Sequence, residues 1–547
     1  MLRAIRKYLR LTRLFHDLGP LIFLGIIAGF LEFAGVASFA SLISPDNSIT
    51  KLHFSTSLKI FLLTFSFILA ALVSRMIRKL INRANVRIEQ NYRSAMIKYI
   101  ESSEWSQISK ISQGELLSNL ISTPTMISNG LSAFLNVIIS FAGMIPISII
   151  ISVRFPFLIG VIGIFFILGL YFIRPIRRRA EINEMKAQNE SSVIGDQTSY
   201  VLGGLKAYFA SSENQAWAQK LNMTIQELRK IRLLQLDIPV QTKFILDLFS
   251  ALMLSGVVLF LTLTVDELAL KIVILGLLVR TLPRVQSIQS DLLTVRVQST
   301  WIDRWIIFLK KIESRATPRS YSVLNTKNFN EITICDFETR YEDSNFQLLM
   351  TQITLRKSNL YLLSGHSGSG KTTLLDCLLG LKQFNCKSIE IDNHRIDEWN
   401  PEIFGRRFYI PQHGLLSVGT LRSILDPNGL VGDNEIHKIL KQVELDELVE
   451  SLPTKLETNL VNLWSDFSGG QKQRFAVAQA LLGNFDLLIL DESMSGIESQ
   501  LEIKMLEELK AQAKRNKSIV IYISHRTNYS DILFDYRIEM GGNLESE

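Results

Sequence analysis

The chain has 547 residues, and 47% of them are hydrophobic. A single compact core rarely grows to this length, so several domains are expected. Its formal net charge is +7, but the basic residues stand beside long apolar runs, which argues against nucleic acid as a partner and favours a membrane protein. Three cysteines, Cys335, Cys377 and Cys386, form no CxxC pair and indicate neither a metal site nor a disulfide framework.

Apolar runs long enough to cross a bilayer occupy only the first part of the chain. A membrane helix needs about 20 mostly apolar residues, and a run such as FPFLIGVIGIFFILGLYF has no polar face for water. The first run is too long for a cleaved signal peptide and follows a basic segment, which indicates an interfacial helix and a retained membrane helix. An all-α transmembrane domain is therefore predicted over 1–315, with six spans at about 21–43, 58–77, 131–152, 156–173, 244–265 and 267–285.

Basic residues in the connections predict the orientation. Arginines follow the second span (Arg78, Arg83) and the fourth (Arg174, Arg177), so the positive-inside rule places these connections and both termini in the cytoplasm. The two connections, about 78–130 and 174–243, are charged and poor in proline. Because long connections without structure are uncommon, we expect the spans to continue into the cytoplasm as helical hairpins.

Charged residues inside the spans are the candidates for a cargo site, because such residues are rare in membranes and often functional. Glu32 lies near the middle of the first span, and Arg280 lies in the later half of the sixth, one turn before Arg284. Two interpretations stay open. In the first, Glu32 and Arg280 line a polar cavity and touch cargo or each other. In the second, the charges form a structural ion pair or snorkel toward the membrane interface.

A second domain begins after a polar linker at 316–328, which contains Pro318. From 329 to 547 the pattern changes to alternating strands, loops and helices, which predicts an α/β domain with a parallel sheet. The run YLLSGHSGSGKTTLLDCLLG has the spacing of a phosphate-binding loop, in which backbone N–H groups, a helix N-terminus and a lysine surround phosphate oxygens. Its candidate nucleotide contacts are Gly365, Ser367, Gly368, Gly370, Lys371, Thr372 and Thr373.

The run DLLILDE predicts a buried strand that ends in two carboxylates. Asp491 is placed to join the shell of a Mg²⁺ ion. Glu492 is placed to activate the attacking water as a general base. An acid-capped strand alone is a weak signal, and its position downstream of a phosphate-binding loop strengthens it.

The segment SDFSGGQKQR resembles the signature motif of ABC ATPases, with Phe467 in place of the leading leucine. Gln412 in YIPQ resembles the glutamine of that family's Q-loop, and His525 in YISHR resembles its switch histidine. Tyr341 stands where the family has an aromatic residue that stacks on adenine. With six spans and one nucleotide-binding domain, the whole chain resembles an ABC exporter half-transporter of the type IV fold.

That resemblance implies a mechanism. ATP and Mg²⁺ are the implied cofactors, with Thr372, Gln412 and Asp491 in the Mg²⁺ shell and Glu492, His525 and Gln412 as catalytic residues. Two nucleotides would lie between two chains, so a homodimer is implied, with a heterodimer as the alternative. The signature residues of one chain would contact the nucleotide on its partner; they are Ser468, Gly469, Gly470 and Gln471.

Two departures from the family pattern predict altered coupling between sites. The loop after Glu492 reads SMSGIE, with Glu498 where the family has aspartate, and Val461 and Asn462 replace a Gly-Glu pair. The stretches 104–117 and 195–213 resemble the two coupling helices, which dock onto nucleotide-binding domains. Ordinary hairpin tips are the alternative for both stretches.

The resemblance implies an ATP-driven exporter in a bacterial inner membrane, with its nucleotide-binding domain in the cytoplasm. The signature region is similar to exporters of small bacteriocin-like peptides, which favours a small peptide or secondary metabolite as cargo. The first span is similar to exporters of lipid-linked glycans, so a lipid flippase is one alternative. A membrane ATPase that regulates without transporting is the other.

Overall fold

The chain forms two compact units, Met1–Ala316 and Thr317–Glu547, each with its own hydrophobic core. The predicted linker at 316–328 and the basic segment before residue 18 lie outside the described residues. The computed structural model describes residues 18–43, 55–103, 105–154, 156–203, 210, 214–264, 268–313, 329–340, 347–396, 399–412, 419–460, 463–524, 526, 529 and 533–540.

The first unit is built from helices, four of which have 46 to 51 residues. At 1.5 Å per residue each of the four is about 70 Å long, more than twice the thickness of a bilayer core. The predicted continuation of the spans as polar helices is therefore confirmed. The helices are α1 (Leu18–Ile43), α2 (Thr56–Ser102), α3 (Trp105–Ile108), α4 (Gln113–Leu117), a π-helical turn (Ser118–Ser122), α5 (Thr123–Arg154), α6 (Pro156–Gly203), α7 (Asn214–Thr264) and α8 (Leu268–Glu313).

Five stretches of the described residues are long and apolar enough to cross a membrane, and they lie in α1, α2, α5, α6 and α7. The sixth predicted span, 267–285, coincides with the first part of α8, where several side chains lie outside the described residues. The chain is thus a multi-pass membrane protein with an all-α membrane unit.

Glycines allow α1 and α5 to pack at close range. A Cβ atom added to Gly29 would lie 2.2 Å from the carbonyl oxygen of Gly143, and one added to Gly25 would lie 3.1 Å from that of Ile139. Because residues four apart share one face of a helix, Gly25 and Gly29 present a smooth stripe to α5. Small residues of this kind are how membrane helices bring their backbones together.

The polar parts of α6 and α8 are joined by side-chain contacts that hold the helices in register. Three successive turns of α6 take part. The contacts are Arg296 Nε to Glu181 Oε1 at 2.7 Å, Trp301 Nε1 to Glu184 Oε1 at 2.7 Å, and Gln188 Nε2 to Thr300 Oγ1 at 3.0 Å.

The described residues of the second unit alternate between strands and helices. The elements are β1 (Glu331–Arg340), β2 (Gln347–Arg356), β3 (Asn359–Gly365), α9 (Lys371–Leu378), β4 (Ser388–Ile391), β5 (His394–Ile396), a 3₁₀ turn (Pro401–Phe404), β6 (Arg407–Ile410), α10 (Leu421–Leu425), α11 (Asp433–Gln442), α12 (Asp446–Glu450), 3₁₀ turns (Lys455–Glu457 and Trp464–Asp466), α13 (Gly469–Leu482), β7 (Leu487–Asp491), α14 (Ser499–Asn516), β8 (Ile519–Ile523) and β9 (Tyr536–Met540).

The described strands form two sheets. A five-stranded parallel sheet has the order β6-β7-β8-β3-β9, and a four-stranded antiparallel sheet has the order β2-β1-β4-β5. Only the parallel sheet was expected. The strands β1 and β2 pair antiparallel because no helix stands between them to carry the chain across.

The central strands β7 and β8 are buried along their whole length, as expected for parallel strands covered on both faces. They pair with each other, and β8 pairs with β3 on its other side. The carboxyl ends of β3, β6, β7 and β8 therefore meet at one edge of the sheet, where ligands bind in open α/β folds.

The close contact of α1 and α5 predicts an asymmetry between glycines. We expect Gly29→Ala to lower the melting temperature of the detergent-solubilised protein, because its Cβ would overlap the carbonyl oxygen of Gly143. Overpacking of this kind costs about 1–3 kcal/mol. Gly256→Ala is the matched control, since a Cβ there has no neighbour within 4 Å. Equal melting temperatures for the two variants would contradict the packing argument.

Candidate functional site

The phosphate-binding loop connects β3 to α9. Gly365 ends the strand at φ 152°, and Gly370 caps the helix in the left-handed region at φ 95°. A side chain at Gly365 would collide with the backbone of Met540, with its Cβ 2.6 Å from the carbonyl oxygen. Glycine is therefore required at this turn by both conformation and space.

Lys371 lies under this loop and is largely buried. Its Nζ donates hydrogen bonds to the carbonyl oxygens of Gly365 at 2.8 Å and His366 at 3.0 Å, so the loop curves around the ammonium group. The buried hydroxyl of Ser369 has no hydrogen-bond partner among the described residues. A cation, an orphan hydroxyl and the start of α9 together suit an anion such as a phosphate.

The two acidic residues lie at the end of β7, as the sequence predicts. Asp491 is buried, and its Oδ2 accepts a hydrogen bond of 2.8 Å from the Tyr409 hydroxyl on β6. Burial and the hydrogen bond to Asp491 raise the pKa of Tyr409, so its hydroxyl stays a donor. The pKa of Asp376 is raised to about 6, mainly by burial and secondarily by the negative charge of Asp491.

Glu492 follows in a left-handed conformation with φ 50°. Such a conformation is uncommon for a residue other than glycine, and strained backbone of this type concentrates at functional sites. Its amide donates to the carbonyl oxygen of Ile523 at 3.2 Å, and its Oε2 accepts from Gln412 Nε2 at 2.8 Å. The structure therefore brings Gln412, Asp491 and Glu492 together at the sheet edge.

The signature residues form the start of α13. Ser468 Oγ accepts from the Gln471 amide at 3.2 Å, and Gln471 Oε1 accepts from the Ser468 amide at 2.8 Å, which makes a reciprocal capping box. Gly469 is exposed, with no atom within 4 Å of an added Cβ. Phe467 is buried against Trp464 and Phe475, which explains how a phenylalanine serves where leucine is usual.

Gln473, which sequence reasoning missed, connects this helix to the acidic site. Its Nε2 lies 3.3 Å from Ser495 Oγ and 3.5 Å from the carbonyl oxygen of Gln412, and its Oε1 accepts from the Gly496 amide at 2.9 Å. Tyr409 was missed as well. Nothing in the local sequence indicated either residue, because both contacts join segments far apart in the chain.

Several sequence-predicted positions lie outside the described residues. They include Tyr341, His525, Val461 and Asn462, and part of the stretch 195–213. For these residues the expectations from the sequence stay predictions.

The membrane unit contains an ion pair at one of the predicted charges. Glu32 Oε1 on α1 lies 2.7 Å from Arg284 Nη2 on α8, and Arg284 Nη1 donates to the carbonyl oxygen of Gly143 on α5 at 2.9 Å. The side chains of Glu32 and Arg284 are 11% and 20% exposed. The side chain of Arg280 lies outside the described residues, so its expected place in a cavity stays a prediction.

The two stretches compared with coupling helices meet at glycines. The Gly114 amide donates to Asp196 Oδ1 at 2.6 Å, and a Cβ added to Gly195 would lie 3.0 Å from the Cα of Gly114. The two hairpin tips are thus packed together within the membrane unit.

Comparisons with known proteins show what the chain resembles. Residues 349–495 match the family model described as ABC transporter. This part of the second unit is therefore similar to ABC transporters. Its whole fold is similar to a bacterial Atm1-family ABC exporter solved with ATP bound, with a TM-score of 0.78, 14% identity, and coverage of 95% of this chain and 91% of that one.

Curated relatives of the chain include export proteins. A putative export ATP-binding/permease protein of Rickettsia typhi is 31% identical over 42% of this chain and 40% of its own length. The Microcin-J25 export ATP-binding/permease protein McjD of Escherichia coli is 30% identical over 40% of this chain and 37% of its own. The Lactococcin-A transport/processing ATP-binding protein LcnC of Lactococcus lactis is 26% identical over 65% and 49%. The chain therefore spans half or less of the length of these relatives.

The contact between Tyr409 and Asp491 leads to a prediction about metal dependence. We expect Tyr409→Phe to raise the Mg²⁺ concentration needed for tight ATP binding several-fold, because Asp491 loses the donor that orients it. Fluorescent ATP binding titrated with Mg²⁺ measures this. Tyr536→Phe, which removes a hydroxyl from the outer strand β9, is the control; an unchanged Mg²⁺ titration in both variants would contradict the role of Tyr409.

Proposed function

We propose that the chain is an ABC transporter that hydrolyses ATP. The observation that carries the proposal is the arrangement of Lys371, Asp491 and Glu492 at one sheet edge, with Gln412 bonded to Glu492. Lys371 would hold the β- and γ-phosphates, and Glu492 would accept a proton from the attacking water. Tyr341 and His525 keep the roles that the family resemblance gives them.

Mg²⁺ fits the oxygen-rich donor set at this edge. Asp491 offers a carboxylate held in place by Tyr409, while Thr372 and Gln412 offer a hydroxyl and an amide oxygen, which are hard ligands of the type that Mg²⁺ prefers. Among the described residues no group of three or more His, Cys, Asp or Glu side chains could hold a metal. Mg²⁺ held at this edge with the nucleotide would neutralise phosphate charge.

Two copies of the chain would make two complete sites. Ser468, Gly469, Gly470 and Gln471 start a helix whose N-terminus carries partial positive charge, and Gly469 leaves its backbone accessible. These features suit the γ-phosphate of an ATP held on the phosphate-binding loop of a second chain. A homodimer is the simplest assembly, and a heterodimer is the alternative.

The transported cargo is proposed to be a small peptide or secondary metabolite that leaves the cytoplasm across a bacterial inner membrane. Two of the relatives are described as a microcin exporter and a lactococcin transporter, which supports this class. The basic connections after the second and fourth spans support a cytoplasmic nucleotide-binding domain. Transport in reconstituted vesicles tests the proposal. Stimulation of ATP turnover by lipid extract alone would favour a flippase, and turnover without any translocation would favour a regulatory ATPase.

Complementation between two defective chains tests the shared site. We expect Lys371→Ala and Gly469→Asp each to abolish ATP hydrolysis in a homodimer. A mixed dimer keeps one intact site, made from the lysine of one chain and the signature of the other, and should regain up to half of the normal rate. Tandem affinity tags isolate the mixed dimer. No recovery in mixed dimers that still bind ATP at the chain with an intact Lys371 would exclude a shared site.

The Glu32–Arg284 pair leads to a separate prediction. We expect Glu32→Gln and Arg284→Gln each to lower the melting temperature, because removing one partner leaves a buried charge that costs about 3–5 kcal/mol. The double variant should lose less than the sum of the two.

Arg280→Gln is the matched comparison in α8. We propose that Arg280 lines the cargo cavity, so this variant should keep the melting temperature and lose cargo transport. Full transport in both the Glu32 and the Arg280 variants would contradict the proposal that these residues line the cargo cavity.

A further inference from the structure

The loop that joins β7 to α14, residues 493–498, ends at an unusual helix cap. Glu498 is the N-cap of α14, with an extended backbone at φ −61° and ψ 141°, and its side chain makes no capping hydrogen bond. Aspartate, asparagine, serine and threonine cap helices well because their short side chains reach the free amides of the first turn. The start of α14 therefore lacks the restraint that a short capping side chain would give.

Arg526 contacts this helix start on both sides of the cap. Its Nη2 donates to the carbonyl oxygen of Ile497 at 3.1 Å, and its Nη1 lies 3.1 Å from Ser499 Oγ. The same Nη1 bonds Glu502 one turn further along α14. Since a guanidinium is only a donor, it leaves the amides of the helix unsatisfied, but its planar fork fixes the position of the turn.

Glu502 anchors the arginine. Glu502 is 1% exposed, and its other carboxylate oxygen, Oε1, accepts hydrogen bonds from the hydroxyls of Tyr522 and Tyr529. Burial and the bond to Glu502 raise the pKa of Tyr529 to about 12, so this hydroxyl remains a donor. A buried carboxylate with two donors and one cation is held firmly, and the cation is held with it.

The backbone of Arg526 is tied to the other side of the site. Its amide donates to Ser524 Oγ at 3.0 Å, and Ser524 Oγ pairs with the Tyr529 hydroxyl at 2.8 Å. Ser524 follows Ile523, the residue whose carbonyl oxygen accepts from the Glu492 amide. Arg526 thus connects the end of β8, beside Glu492, to the far end of loop 493–498, which follows Glu492.

The structure assigns Arg526 as a positioning residue: its guanidinium holds loop 493–498 in place of a side-chain cap at Glu498, and so fixes the backbone that carries Glu492. This role rests on the proposed ATP hydrolysis. It ascribes to Arg526 no contact with nucleotide, so its loss should lower kcat and leave ATP affinity unchanged.

The experiment is a double-mutant cycle between the pair and the cap. Arg526→Gln alone would leave Glu502 buried without its cation, so the pair is neutralised together as Arg526→Gln with Glu502→Gln. We expect kcat for ATP hydrolysis to fall about tenfold, with the Kd for a fluorescent ATP analogue within twofold of the parent. Adding Glu498→Asp supplies a short capping side chain and should reduce that fall to less than threefold.

A matched control neutralises another ion pair of α14. Lys510→Gln with Asp535→Asn removes a contact of 3.0 Å from the same helix, at the opposite end from the loop. We expect its kcat to stay within twofold of the parent, both with and without the added Glu498→Asp substitution.

Amide hydrogen exchange of residues 493–499 provides a readout that needs no ATP turnover. Exchange should accelerate at least fivefold in the neutralised variant and return toward the parent rate when Glu498→Asp is added. If Glu498→Asp changes neither the loss of kcat nor the exchange rate, the assignment is overturned and Arg526 is a purely structural partner of Glu502. A parent chain without ATPase activity would refute the proposed function alone, because the exchange comparison would still decide the role of Arg526.

Discussion

The parallel pairing of β7 with β6 on one side and β8 on the other is the constraint on which the proposed nucleotide site depends. It brings Tyr409 beside Asp491 and sets the Ile523 carbonyl oxygen to receive the Glu492 amide. Since these strands are buried along their length, a shift of register would remove apolar side chains from the core and separate the polar ones. The register of these buried strands therefore determines both the stability of the sheet and the geometry of the site.

The helices of the membrane unit also depend on specific polar and close-packed contacts. Hydrophobic side chains give no preference for one helix over another inside a bilayer, so its helices rely on close backbone contact and polar pairs. Gly29 and Gly143 bring α1 and α5 together, and Arg284 joins α8 to both helices through Glu32 and the Gly143 carbonyl oxygen. The glycines and the ion pair are thus parts of one junction of three helices.

The loop after Glu492 shows how a departure from a family pattern is accommodated. Gln473 binds the middle of the loop at Ser495 and Gly496, and Arg526 binds its end. Both restraints come from outside the loop, so replacement of a short acid by Glu498 changes the local cap without leaving the segment unheld. Each restraint also touches a segment that carries a proposed catalytic residue.

The sequence by itself determined the order of the membrane helices, the nucleotide-binding domain and its motifs along the chain. Run length and charge predicted the membrane helices and their long extensions, and the glycine spacing predicted the loop from β3 to α9, because these signals are local along the chain. Only the tertiary structure decided that Glu32 pairs with Arg284, that Tyr409 orients Asp491, and that Arg526 reaches across to Ile497. Each of these contacts joins segments tens to hundreds of residues apart, and no local pattern records which polar groups a folded backbone will bring within hydrogen-bonding distance.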